Sequence, residues 1–429
     1  MIVDNVLIER AVAGGRMLAR HEGRVLLVSG AIPGERVRVR IERATKQVAW
    51  AEATEILEPS ADRRSPRCDL GCGGALYAHI EYARQLELKR DVIADAFRRI
   101  GKMDLPNPLV VAGSPETAYR LRARLHVRQG RAGFFREGSH VLCDAAATGQ
   151  LHGATMPAMD SLLAALGGRV EDCDSVVVAE NVEADERVLQ LIPHMQRGIA
   201  DVRVSLESLQ GVTGVTAATI DGPVTLAGTP YVSDSALEVL GDRAPVGSEV
   251  RWQRHVASFF QANRFLLGTL VRHVLDHAPG ERCLDLYSGV GLFAVALAAA
   301  GRTVIAVEGD AVSFADLIAN AEHCSQRLAV EQSAVEPFLR STRIPQLDVI
   351  VLDPPRTGAT TEALDGLIAW RAPRVVYVSC DPPTLARDGA RLVRAGYELA
   401  RIDAFDLFPN TPHVETVAVF TSSQARCSP

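Results

Sequence analysis

The sequence predicts an α/β fold with a C-terminal doubly wound parallel sheet over residues 258–429. A small N-terminal β-barrel over 1–58 and a central α+β segment over 59–257 precede it. Three observations carry that prediction. From residue 282 onward short apolar runs alternate with helical periodicity, the pattern of strand, crossover helix and parallel strand. Residues 1–58 hold short alternating runs cut by glycine and proline. Finally, 429 residues exceed what one ordinary core fills, so two or three domains are expected.

Composition narrows the function classes. The chain is 47% hydrophobic and 23% charged, the balance of a globular protein. It lacks the roughly 18-residue apolar stretch that a membrane span needs, and Met1-Ile2-Val3-Asp4-Asn5 lacks the basic start of a secretory leader, so a cytoplasmic protein is expected. Only Lys46, Lys89 and Lys102 are lysines; the other cations are arginine. A net charge of −6 argues against a uniformly basic nucleic-acid binder but permits local basic patches. The 8 cysteines (68, 72, 143, 173, 283, 324, 380 and 427) are not expected to form a disulfide framework in a cytosolic chain.

In the first 58 residues, runs at 6–12, 23–28, 36–42 and 48–56 read as strands. Gly14-Gly15, Ser29-Gly30 and Ile32-Pro33-Gly34-Glu35 are the turns between them. Arg36-Val37-Arg38-Val39-Arg40 puts arginines on one face and valines on the other, either a solvated face or an oligonucleotide-binding one. Glu58-Pro59-Ser60 reads as a linker. A helix is expected over 80–100, where Leu86, Val92, Ile93, Ala96, Phe97 and Ile100 recur at helical spacing. Residues 120–128 alternate arginine with apolar residues up to a Gln129-Gly130 turn, so an antiparallel hairpin with a cationic face is expected. Residues 150–250 carry no motif with a chemical reading. Ser258-Phe259-Phe260-Gln261-Ala262-Asn263 opens a helix expected to run to His277.

Four stretches in the C-terminal third bear chemistry. Asp285-Leu286-Tyr287-Ser288-Gly289-Val290-Gly291-Leu292-Phe293 reads as strand, glycine turn and helix, where the backbone approaches a ligand closely. The next strand ends in Glu308, placed to accept ribose hydroxyls. A third glycine at dinucleotide spacing is missing, so the pattern favours S-adenosylmethionine over NAD. Asp353-Pro354-Pro355-Arg356 ends another buried strand. Arginine where a stacking aromatic would stand counts against an exocyclic-amine target, and the absence of a cysteine there counts against a cytosine-5 enzyme. Val375-Val376-Tyr377-Val378-Ser379-Cys380-Asp381-Pro382-Pro383 puts Cys380 at a strand's carboxyl end, as a packing cysteine or, beside a cofactor loop, a nucleophile. His413 and Glu415 precede a terminal strand, and each is also readable as an ordinary structural residue.

Taken together, these motifs resemble the S-adenosylmethionine-dependent RNA uracil-5-methyltransferases over essentially the whole chain, with the first module similar to their TRAM domain. The resemblance implies a Rossmann-like methyltransferase domain. It implies Gln261, Tyr287, Glu308 and Asp353 as cofactor contacts, Cys380 as nucleophile and Glu415 as base. It implies RNA as partner, ribosomal RNA favoured over transfer RNA by the TRAM-like module, and a monomer. Many members hold a four-iron cluster on four cysteines. Here Cys68 and Cys72 keep two ligand positions, while Ala75 and Thr148 stand near the other two, so the iron–sulfur cluster is expected to be absent. The rivals are a non-catalytic RNA-binding or RNA-folding protein and a cytosine-5 RNA methyltransferase.

Overall fold

A computed structural model of the chain describes residues 1–422 except 195–197, 200, 245–248 and 345, so Cys427 lies outside the described residues. Strands β1 (Ile2–Ala11), β2 (Met17–His21), β3 (Arg24–Ser29), β4 (Arg36–Ala44) and β5 (Val48–Glu58) close into a barrel of order β1-β2-β3-β5-β4. Val37 and Val39 face its core, while the intervening arginines face out. Those arginines meet acids: Arg36 lies 3.4 Å from Glu58, Arg38 pairs with Asp4 and Glu55, and Arg40 pairs with Glu52. The barrel face is therefore internally neutralised.

Helix α1 (Tyr82–Ala96), continued by a wide turn over Phe97–Gly101, bridges two bodies. Its Leu88 packs into the barrel core, whereas Ile93, Ala96 and Phe97 pack against the C-terminal sheet. Strand β6 (Val111–Ala112) then joins that sheet beside the chain's penultimate strand. So part of the segment read from sequence as central lies on the C-terminal sheet. Short alternation alone does not reveal which of two sheets an element pairs with.

The central sheet uses β7 (Arg122–Arg128), β8 (Arg131–Phe135), β9 (Leu142–Cys143), β10 (Cys173–Glu180), β11 (Arg187–Pro193), β12 (Gly214–Thr219) and β13 (Gly222–Gly228), covered by α2 (Thr155–Leu166). The expected hairpin is β7–β8. Its outward arginines are partly neutralised, since Arg124 and Arg128 share Asp174 at 3.5 Å and 3.1 Å. Among the described residues Cys72 and Cys143 form a single disulfide, while Cys68, Cys173, Cys283, Cys324 and Cys380 are free, so the expectation of no disulfide framework is corrected at one pair. The two lie 71 residues apart in sequence and meet because the loop around Cys72 pairs with the β8 end at Arg136. Strand β14 (Tyr231–Ser235), helix α3 (Ala236–Leu240) and strand β15 (Arg251–His255) lead into the last body.

That body comprises α4 (Leu267–His277), β16 (Arg282–Leu286), α5 (Leu292–Ala299), β17 (Thr303–Glu308), α6 (Ala311–Ala321), β18 (Leu328–Gln332), α7 (Val335–Ser341), β19 (Val349–Leu352), α8 (Thr361–Trp370), β20 (Arg374–Ser379), α9 (Pro382–Arg394), β21 (Tyr397–Phe405) and β22 (Glu415–Ser422). The sheet order is β18-β17-β16-β19-β20-β22-β21-β6, with β16 to β20 parallel and β22 antiparallel to β20. Both faces are covered, so the central strand β19 is apolar throughout: Val349 and Val351 face α4 to α6, Ile350 and Leu352 the helices opposite. Helix α4 starts at Leu267, later than expected, because Asn263 Oδ1 accepts the Phe265 and Leu266 N–H groups and holds 258–263 as a loop. Among the described residues no helix is long and apolar enough to cross a membrane.

Candidate active site

Strand order reverses between β16 and β19, and open α/β sheets bind ligands at the carboxyl ends beside such a reversal. The predicted residues gather there. The β16 strand delivers the glycine loop, with Gly289 at φ 55° and Gly291 at φ 89°; a Cβ on Gly291 would fall 2.7 Å from Leu317 Cδ1. Tyr287 sits at φ 60°, a left-handed conformation that is costly for a bulky residue and tends to be retained at functional sites. Glu308, ending β17, accepts the Gly289 N–H and the Asp310 N–H, both at 2.7 Å. Each of its oxygens keeps a further lone pair.

Gln261 reaches the same edge on the 258–263 loop. Asp316 of α6 anchors that loop by accepting the Ser258 hydroxyl at 2.6 Å and the His255 N–H at 2.8 Å. Gln261 Nε2 donates to Asp353 Oδ2 at 3.0 Å. Asp353, just past β19, is half-buried, and burial pushes its carboxyl up to about 7.

Cys380 stands between the end of β20 and Asp381, whose side chain caps α9 by accepting the Thr384 N–H at 2.9 Å. Register pairs Ser379 with Thr416, so Glu415 at the start of β22 arrives beside Cys380. Burial raises the Cys380 thiol to about 11. Glu415 and Asp353 push the same way, while Arg356, close enough to hydrogen-bond the sulfur, opposes them. Burial likewise raises Glu415 well above the usual carboxylate range, Asp353 adds to this and Arg356 opposes it. Glu415 Oε1 is buried without a hydrogen-bond partner.

Two groups were under-read from sequence. Asp285 is buried with both oxygens unpartnered, and burial first, then Asp353 and Glu308, raise it to about 8. A buried acid opening a glycine loop is the signal that could have singled it out. Arg356 is the cation that the Cys380 and Glu415 environments share, although its motif position alone left its role open. His413 packs edge-on to Phe408 at 6.0 Å, and burial lowers its imidazole to about 4, so it is neutral.

The loop carrying His413 is tied down from far away in sequence. Lys89 of α1 pairs with Asp406 and donates to the Phe408 carbonyl at 3.1 Å; Gln85 donates to Asn410 Oδ1 at 2.9 Å. A Cβ on Gly15 would fall 2.7 Å from Pro412, so the barrel touches this loop too.

An edge lined by Asp285, Glu308, Asp353 and Glu415 suits a cationic ligand. S-adenosylmethionine, with its sulfonium and ammonium groups and its ribose hydroxyls, fits an acidic edge where Asp285 is buried without a cation and the Glu308 oxygens keep free lone pairs.

Comparison with known proteins agrees. Residues 238–423 match the tRNA (uracil-5-)-methyltransferase family, and residues 3–54 match the TRAM domain. An uncharacterized RNA methyltransferase of Thermosynechococcus vestitus is 34% identical over 95% of this chain and 96% of its own. The 23S rRNA (uracil(1939)-C(5))-methyltransferase RlmD of Thiobacillus denitrificans is 33% identical, again over 95% and 96%. A tRNA (uracil-54, C5)-methyltransferase of Pyrococcus abyssi, solved with S-adenosyl-L-homocysteine, shares the fold: TM-score 0.76 and 23% identity, over 97% of this chain and 99% of that one. This chain thus belongs to the RNA uracil-5-methyltransferase family, enzymes that depend on S-adenosylmethionine.

Proposed function

We propose that the protein methylates carbon 5 of a uridine in ribosomal RNA, with Cys380 as nucleophile and Glu415 as general base. One observation carries the reading: a half-buried thiol and an unpartnered buried carboxyl adjoin each other, with one arginine facing both. Carbon 5 of uracil is too poor a nucleophile to be methylated directly. Addition of the Cys380 thiolate at carbon 6 makes an enolate, nucleophilic at carbon 5. Arg356 favours that thiolate by lowering the thiol. When bound, S-adenosylmethionine supplies the electrophilic methyl group. Glu415 then takes the carbon 5 proton, and elimination frees Cys380. A carboxylate whose affinity for protons is raised by burial is a stronger base than an exposed one.

Gln261, Tyr287, Glu308 and Asp353 hold the cofactor, and Asp285 joins them as the buried counter-charge. The target base leaves its stack to reach the sulfur. Exposed Arg356 has half-buried Arg120 near it, the latter lying over Phe134 at 5.6 Å and Phe408 at 6.0 Å, so the two put positive charge where the RNA backbone arrives. Ribosomal RNA is favoured because relatives that are 31–33% identical over nearly the whole chain are named for 23S rRNA. Mass mapping of 5-methyluridine in RNA from a deletion strain tests the substrate. Loss of one modification from 23S rRNA is expected; loss from transfer RNA alone overturns that substrate.

A further inference from the structure

Outside the active site, His273 and His277 project from α4 and Asp403 from β21, all half-buried. One nitrogen of each imidazole and one Asp403 oxygen lie within 4.8 Å of one another. Helical spacing of four residues stacks the two histidines on one face, and their ring centroids are 4.3 Å apart. His273 Nε2 is buried 3.1 Å from Asp403 Oδ2, an ion-pair distance whose geometry falls short of a hydrogen bond. His277 Nδ1 is 2.8 Å from the His273 carbonyl, and donating its proton there leaves Nε2 with a free lone pair. That is how metal-binding histidines are ordinarily oriented, their second nitrogen donating to a backbone carbonyl or carboxylate.

We propose that His273, His277 and Asp403 form a binding site for a divalent ion of the zinc class. Two imidazoles and a carboxylate suit such borderline ions. Ligand atoms each about 2.1 Å from a tetrahedral ion are about 3.4 Å apart, close to the 3.1 Å between His273 and Asp403. Arg401 donates Nη2 to Asp403 Oδ1 at 3.0 Å and Nε to Oδ2, the oxygen facing His273, at 2.7 Å. Oδ2 would take the ion on its remaining lone pair, with Arg401 orienting the carboxylate. A solvent molecule completes the shell. The ion clasps α4 to β21, and β21 carries Phe405, which packs edge-on to His273 at 5.2 Å and is the register partner of Glu415. The site thus stiffens the strand pair that carries the base without touching the reacting atoms. The alternative is a metal-free His273–Asp403–Arg401 ion cluster.

The test is titration of chelator-treated full-length protein with zinc chloride by calorimetry, alongside cobalt(II) absorption and thermal unfolding. Stoichiometric zinc binding is expected, with a rise in Tm and visible cobalt bands of a nitrogen–oxygen site. His277→Ala, which removes a half-exposed ring at the end of a helix, should weaken binding at least about tenfold and abolish the Tm rise. Asp403→Asn should weaken it as well. Wild-type protein that binds no zinc, or zinc binding and Tm rise unchanged in folded His277→Ala protein, overturns the proposal and leaves the ion cluster.

Discussion

Glu180 and Asp285 are equally buried, each 1% exposed, and their surroundings are opposite. Glu180 accepts the Thr155 hydroxyl at 2.5 Å, Arg187 Nε at 2.6 Å and Arg264 Nη2 at 2.6 Å. Nearby Asp234 pairs with buried Arg254 and accepts the Val182 N–H. These acids tie the central sheet to the loop that carries Gln261. Asp285 has no cation on either oxygen, only the neutral Ser288 and Ala294 groups nearby, while Glu415 lacks a hydrogen-bond partner on Oε1 and Asp353 has only the neutral Gln261 amide. Burial alone therefore does not distinguish scaffold from site. The distinction is whether arginine has already neutralised the acid, because an unpaired buried carboxyl is retained where a cationic ligand will complete it.

The largest effect expected from this contrast lies on the scaffold side. Glu180→Gln leaves Arg187 and Arg264 short of a buried counter-charge and should cost about 3–5 kcal/mol in denaturant unfolding. Cofactor affinity per folded molecule should stay near wild type. Next, Glu308→Ala should cost about 1–3 kcal/mol of S-adenosylmethionine binding by calorimetry with little change in stability. Unchanged affinity would show that Glu308 only supports the Gly289 turn.

Smaller at each step of pH, though spread over several units, is the effect of titrating Asp285. Asp285 titrates near 8 when folded against an ordinary 3.8, so the folded state holds that proton more tightly than the unfolded chain does. The stability this confers is complete below about pH 4 and is lost as pH rises toward 8, by at most about 1.4 kcal/mol per unit. Asp285→Asn cannot titrate. Its Tm in cofactor-free protein should gain on wild type between about pH 5 and pH 8, while cofactor binding weakens. A constant Tm difference across that range would mean that Asp285 has a partner. At the bottom of the scale, no effect is expected from iron chelation. Cys72 is bonded to Cys143, which leaves Cys68 as the free thiol among those three, and anaerobically purified protein should contain no stoichiometric iron.

Much of the site was legible because its residues end strands. Asp353, Cys380 and Glu308 follow buried apolar runs, and in a parallel sheet those ends share one edge. The β7–β8 hairpin was legible for a similar reason, its turn and alternation being local. What escaped depends on pairings across long stretches of chain. Lys89 meets Asp406 across 317 residues, β6 pairs with β21, and Cys72 finds Cys143, none of which leaves a periodic mark. The start of α4 escaped because one side-chain oxygen, Asn263 Oδ1, captures the N–H groups that would have begun the helix earlier. The outward arginines of β4 could be read as a solvated or an oligonucleotide-binding face, because their acidic partners on β1 and β5 are distant in sequence.

The proposed methylation depends most heavily on Cys380 and Glu415 acting in succession on one base. Glu415→Gln keeps the thiol and the cofactor acids but removes the acceptor for the carbon 5 proton, so addition and methyl transfer should proceed while elimination stalls by roughly 100- to 10,000-fold. On a denaturing gel with labelled ribosomal RNA and S-adenosylmethionine, Glu415→Gln should give a slowly migrating protein–RNA band. Cys380→Ala should give neither the band nor methylated product. Normal turnover by Glu415→Gln without that band, or 5-methyluridine made by Cys380→Ala, would contradict the assignment.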